Sequence, residues 1–181
     1  MRSFERKPDG SLEALLDAEE ALLLQSLAGQ IAELVADGAL RQAQGVSTSS
    51  TSQDTSSSTP DLALARLLPD AYPDDPEASA EFRRFTVSGL AERKVGNAET
   101  LIRSLDGSGV TGRVTLDDSE ALSWLRCLTD IRLTIASRLG IESEDDEAGR
   151  SIDPLMREIY DWLGFVQNSL IEALDDRATG A

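Results

Sequence analysis

DDSEALSWLRCLTDIRLTIASRLG, residues 117–140, is the stretch that decides how this chain folds. Asp117 and Glu120 form D-x-x-E, a capping-box variant. The aspartate accepts from free backbone N–H groups at a helix start, and the glutamate reaches back to the cap. Behind it, Ala121, Trp124, Leu125, Leu128, Ile131, Ile135 and Leu139 recur at three- and four-residue spacing, which puts one apolar stripe on a helix. Gly140 provides the stop. A capped helix with such a stripe needs other elements to bury it against.

The same grammar stands 100 residues earlier. Leu16/Leu116, Asp17/Asp117, Glu20/Glu120, Ala21/Ala121, Leu22/Leu122 and Ile31/Ile131 are identical pairs. Two readings are open: a duplicated β-then-helix unit, or two capped amphipathic helices that look alike. In the first copy Leu24, Leu27, Ala28, Ile31 and Val35 make the stripe. Leu22 and Leu23 widen it, and Gly38 is expected to end it. Lys7-Pro8-Asp9-Gly10 is turn chemistry, so the first residues predict a β-hairpin with Phe4 and Leu12 inward. Arg113–Leu116 is a second β-like piece.

Between the two copies, DLALARLL (61–68) predicts a short helix stopped by Pro69. Pro76 suits the first turn of the next helix, with Asp75 as cap. That helix carries Phe82, Phe85, Gly89 and Leu90 to one side, and Asn97 is expected to cap a fresh helix. A last helix from Asp153-Pro154 would bury Met156, Ile159, Tyr160, Leu163, Val166, Leu170 and Leu174. Residues 45–59 are Ser/Thr-rich with almost no apolar side chains, so they predict a disordered insert, either a plain loop or a phosphorylated regulatory segment. The fold expected is mostly α: a single-domain helical bundle over 1–181, with five or six helices. It adds an N-terminal β-hairpin and a short β segment before the fourth long helix.

Composition removes several function classes. There are 33 acidic residues against 17 basic ones, a net charge of −16. Such a chain is repelled by polyanions, which argues against broad DNA or membrane binding. It has no histidine, so Ser-His catalysis and His-metal sites are excluded, and its one cysteine, Cys127, allows no intrachain disulfide. No phosphate loop, dinucleotide fingerprint or nucleophile elbow occurs. The residues therefore predict no enzyme, no cofactor and no metal. The lack of a membrane-length apolar run or a signal-like start reads as cytoplasmic.

RLLPDAYPDDPEASAEFRRF (66–85) packs four acids into residues 70–77. Asp70, Asp74, Asp75 and Glu77 lack EF-hand spacing, so they read as a solvated, proline-stiffened corner with caps rather than a cation site. A small-ligand or metal-binding role for this corner is the third reading of the chain. Tyr72 is expected to pack inward and Pro69 to stop the preceding helix. Arg132 falls about 40° from Leu128 on the helical wheel, among apolar neighbours. It must either snorkel or pair with an acid, and Asp70 or Asp74 is the expected partner. Cys127, about 100° from the same centre, reads as a small apolar side chain and is the redox candidate. Arg83, Arg84, Arg93, Lys94, Arg103 and Arg113 form a mildly basic region. With GRVTL (112–116) as a wing, it would be the DNA-facing surface of a winged-helix-like regulator. Phe165, on the far side of the last helix, and Trp162, between its two faces, are candidates for a partner surface, with packing against the hairpin or a neighbouring helix as the other reading.

Four segments, EEALLLQSLAGQIAELV, LARLLPDAYPDDPEASAEFRRFT, VTLDDSEALSWLRCLTDIRLTIASRLGI and YDWLGFVQNSLIEAL, resemble one actinobacterial family. It was long labelled a domain of unknown function and is named for the oxidative-stress regulator AosR. The resemblance implies a non-enzymatic cytoplasmic regulator that senses oxidation through thiols and modulates transcription with a protein partner, the polymerase machinery. It also implies a sensing pair of cysteines six positions apart. Here Ala121 and Leu133 stand six residues from Cys127, so the pair is absent. Sensing by Cys127 would have to run through sulfenic acid or a mixed or intermolecular disulfide.

Overall fold

A computed structural model of the chain describes residues 1–43, 62–69, 76–107, 112–140 and 153–179, the side chains of 43, 76–85 and 177–179 excepted. The order of elements is β1 (Arg2–Arg6), β2 (Leu12–Leu15), α1 (Ala18–Ala43), α2 (Leu62–Leu67), α3 (Pro76–Asp106), β3 (Arg113–Leu116), α4 (Asp118–Leu139) and α5 (Pro154–Thr179). Five helices and a small antiparallel sheet agree with the mostly α expectation. The insert at 45–59 and the corner residues Asp70, Tyr72, Asp74 and Asp75 lie outside the described residues, as does the acidic stretch 142–147.

The hairpin forms where the turn chemistry predicts it. Lys7 N donates to Ser11 O at 2.8 Å, Gly10 N to Lys7 O at 2.9 Å, and Gly10 takes φ +87°. Phe4 and Leu12 are buried. The β piece before α4 is no free wing. It pairs with β2 and completes a three-stranded sheet in the order β1-β2-β3.

The β2–β3 register bears on the internal echo. Leu12 faces Leu116, Ala14 faces Val114, and Leu16 N donates to Gly112 O at 2.9 Å. Adding 100 to one member of a pair and subtracting it from the other returns a pair of the same ladder. Ala14 and Val114 sit at the centre. The two strands are thus related by a local twofold at the centre of the β2–β3 ladder. Both helices open with the same box: Asp17 with Glu20, and Asp117 with Glu120, each pair trading backbone hydrogen bonds at 2.8–3.0 Å.

One buried cluster draws on all eight elements, from Phe4 and Leu12 through Leu24, Leu67, Leu101 and Leu116 to Trp124 and Leu163. Trp124 lies at its middle. Its ring meets Phe4 edge-on at 5.7 Å and 82°, and its Nε1 donates to Ser104 Oγ at 2.8 Å. That satisfies the one polar atom a buried indole carries.

Three expectations are corrected. Gly38 does not end α1, which continues to Ala43. A Cβ at Gly38 would lie 2.3 Å from Leu64 Cδ1, so the glycine is a notch into which α2 packs. Leu22 does not widen the buried face of α1, since it is exposed. Asn97 caps no new helix. α3 runs unbroken, because Ala91, Ala98, Leu101 and Leu105 make one continuous buried stripe across it. On α5, Leu163, Val166 and Leu170 are buried as expected, while Met156, Ile159, Tyr160 and Leu174 pack half-buried against the core.

Candidate functional site

α4 holds most of the residues singled out in the sequence, and neighbours surround it on several sides. Its start is fixed by Asp117, whose side chain accepts from Ser119 N and Glu120 N. Its end is fixed by Gly140 at φ +68°.

Cys127 is 1% exposed. Burial pushes its thiol up to about 12, the nearby Asp130 carboxylate adds to the rise, and Lys94 opposes it. Asp130 is itself buried and ion-paired, with Lys94 Nζ 2.5 Å from its Oδ1. Burial raises the Asp130 carboxyl above its ordinary value, and Lys94 only partly offsets this. The side chain of Lys94 therefore turns inward to Asp130 and does not belong to a basic outer surface, a correction to its place in that group. A buried carboxylate needs such a cation, since an isolated charge in the interior is strongly unfavourable.

Of the other basic residues, Arg113 pairs with Glu13 (Nη1 to Oε2, 2.8 Å) and Arg103 donates to Thr100 Oγ1 at 3.2 Å. Arg93 is exposed. Arg83 and Arg84 lie in the described backbone of α3, their side chains outside the described residues.

Arg132 meets α5. Its guanidinium stacks 4.6 Å above the Tyr160 ring, and Nη1 donates to Gln167 Oε1 at 2.8 Å. Gln167 Nε2 passes the link to Thr129 Oγ1 at 2.8 Å. Gly164 lies directly under the guanidinium, where a Cβ would touch it at 3.6 Å. So the partners found for Arg132 are an aromatic face and an amide. The expected acids, Asp70 and Asp74, fall outside the described residues. Stacking a guanidinium on a ring suits arginine in a half-buried place.

Further along the same helix pair, Arg6 joins three elements. Its Nε donates to Ala173 O at 3.1 Å, Nη1 to Gly10 O at 2.7 Å, and Nη2 to Asp118 Oδ1 at 3.0 Å. Beside it Arg6, Asp118, Leu122, Leu125, Ile171, Leu174 and Asp175 line a shallow cavity of about 340 Å³. Sequence reasoning missed this place. Its only signal was that Leu122 and Ile171 fall off the main stripes of their helices. Trp162 is half-buried, and Phe165 is 49% exposed on the outside of α5. No group of three or more Cys, Asp or Glu side chains that could hold a metal ion occurs among the described residues.

A family model described as a domain of unknown function, DUF2017, matches residues 1–174. The chain belongs to the DUF2017 family. Among curated proteins it is similar to the oxidative stress regulator AosR of Mycobacterium bovis and of Mycobacterium tuberculosis strain H37Rv. Each is 28% identical across an alignment that covers 88% of this chain and 80% of the relative. The AosR-like membership expected from the four segments is thereby borne out. No solved structure matches. No described helix is long and apolar enough to cross a membrane.

Proposed function

We propose that this DUF2017 protein is a non-enzymatic regulator in the response to oxidative stress. It acts in the cytoplasm by binding a protein partner, with the transcription machinery as the class of partner. It does so without a cysteine switch of its own. The regulatory role follows from its similarity to the oxidative stress regulator AosR. The observation that carries the lack of a cysteine switch is the burial of Cys127. Burial raises the thiol to about 12, so it stays protonated at pH 7, and the thiolate is the species that reacts with peroxide or disulfides. With the side chain buried as well, oxidation must wait for the fold to open. Cys127 is a packing residue in this reading.

Protein contact is favoured over direct DNA contact by charge. The chain is strongly acidic, Lys94 is committed to Asp130, and Arg113 is paired with Glu13. The experiment is cross-linking and affinity purification of the full chain from its source cells, beside a gel shift on genomic DNA fragments at low salt. A specific protein partner and no shifted DNA are expected. Salt-sensitive DNA binding lost on reversing Arg93 and Arg103 would replace this reading with the DNA-binding one.

A further inference from the structure

The cavity beside Arg6 is one end of a longer feature. Arg132, Thr129, Leu125, Leu122 and Asp118 descend α4, while Tyr160, Gly164, Gln167, Ile171 and Asp175 run the opposite way on α5. The contacts already described pair them rung by rung, from Arg132 on Tyr160, through Thr129–Gln167, to Leu122 and Leu125 beside Ile171. The outer side of this helix pair is a seam about 20 Å long, from the rise per residue of a helix.

Its chemistry changes along that length. The lower half is apolar: Leu122 and Ile171 are 45% and 40% exposed, with Leu125 and Leu174 half-covered between them. The carboxylates of Asp118 and Asp175 close this end, with Asp118 shared with Arg6. The upper end carries Arg132, a cation with no carboxylate against it among the described residues. Its buried Nε lacks any hydrogen-bond acceptor there.

We propose that the seam between α4 and α5 docks an amphipathic helix of the partner protein. Apolar side chains of that helix would enter the cavity walled by Leu122, Leu125, Ile171 and Leu174. A lysine or arginine at one end would meet Asp175, Asp118 being already held by Arg6, and an aspartate or glutamate at the other would lie by Arg132. The inference rests on the partner reading above. Charge complementarity along the seam argues for such an occupant, and helix-in-groove recognition uses this spacing of anchors. A second copy of the chain fits less well. Two molecules of charge −16 repel, and a groove presented to an identical groove is not filled by it.

The test uses a fluorescent helical peptide of about 18 residues, long enough to span the seam. It carries leucines on one face, two lysines at one end and two glutamates at the other. Anisotropy titration against the full chain is expected to show saturable binding, weakened at least about tenfold by Ile171→Glu or Leu122→Glu, the size of loss an anchor residue gives. Both side chains are exposed, so these variants keep the fold, which circular dichroism checks. Asp175→Lys should weaken the same peptide and bind better a version with glutamates at both ends. No binding, or equal binding by all variants, overturns the proposal. So does a wild-type dimer in sedimentation that Ile171→Glu dissolves, which would give the seam to a second copy. If Ile171→Glu captures the cellular partner as well as wild type does, the seam is removed and the partner reading stands. If wild type captures none, the partner reading itself falls.

Discussion

At Gly112 the backbone takes φ +62°, and a Cβ there would lie 2.0 Å from the Leu16 carbonyl oxygen. The same two residues are joined at the end of the β2–β3 ladder by the hydrogen bond from Leu16 N to Gly112 O, which holds the two backbones this close. Gly112→Ala is expected to lower unfolding free energy by about 2 kcal/mol or more, read from urea titration, because left-handed strain and the collision add. The buried pair gives a second prediction. Lys94→Met leaves Asp130 buried without its cation, a loss of about 3–5 kcal/mol at neutral pH. Asp130 already binds its proton more tightly than an ordinary carboxyl, and the variant raises it further. A raised carboxyl regains stability as pH falls through its folded value, so the deficit of Lys94→Met should be smaller at pH 5 than at pH 8. An equal deficit at both would contradict the assignment. These pairings were not legible in the sequence. Asp130 lies well away from Leu128 on the wheel of α4, where a single stripe predicts solvent. α4 is instead packed on more than one side, and a buried acid off the main stripe shows only once α3 is in place. Arg132 was legible as an arginine needing a partner. Its partner was not, since Tyr160 and Gln167 read as ordinary members of another helix.

At the scale of elements, the helix starts and the sheet were the most readable features, because caps and turns are local chemistry. Asp117-x-x-Glu120 gives a prediction that belongs here. Asp117→Ala should destabilise by about 1 kcal/mol and Asp117→Asn by much less, since the amide still caps. Hydrogen bonds from Glu120 N and Ser119 hold the Asp117 carboxyl below its usual 3.8. Its contribution is present above that value and is lost as pH falls through the lower folded one. The gap between wild type and Asp117→Ala should therefore close in acid, as thermal melts from pH 6 to pH 2.5 would read. Glycines were the least readable signal. Gly38 looks like a stop, yet it is a packing notch for Leu64. A stop and a notch differ only in what the other elements bring near, which no local pattern carries. The 100-residue echo was visible as identities. Its meaning became clear only in the register that centres Ala14 on Val114.

For the whole molecule, charge, the lone cysteine and the lack of histidine were enough to exclude large classes of chemistry. They could not locate a surface. The seam between α4 and α5 depends on two helices meeting, and half of its residues lie on each. Excess acid sets one expectation for the intact chain: its binding to DNA fragments should stay negligible even at about 20 mM salt, where counterion release most favours association. The central claim is that the protein works through a partner and that Cys127 takes no part in switching it. The direct measurement is the partner bound by wild type and by Cys127→Ala, each purified from peroxide-treated and untreated cells. The same partner in the same amount is expected from both proteins under both conditions. A partner gained or lost with peroxide in wild type, and unresponsive in Cys127→Ala, would contradict it.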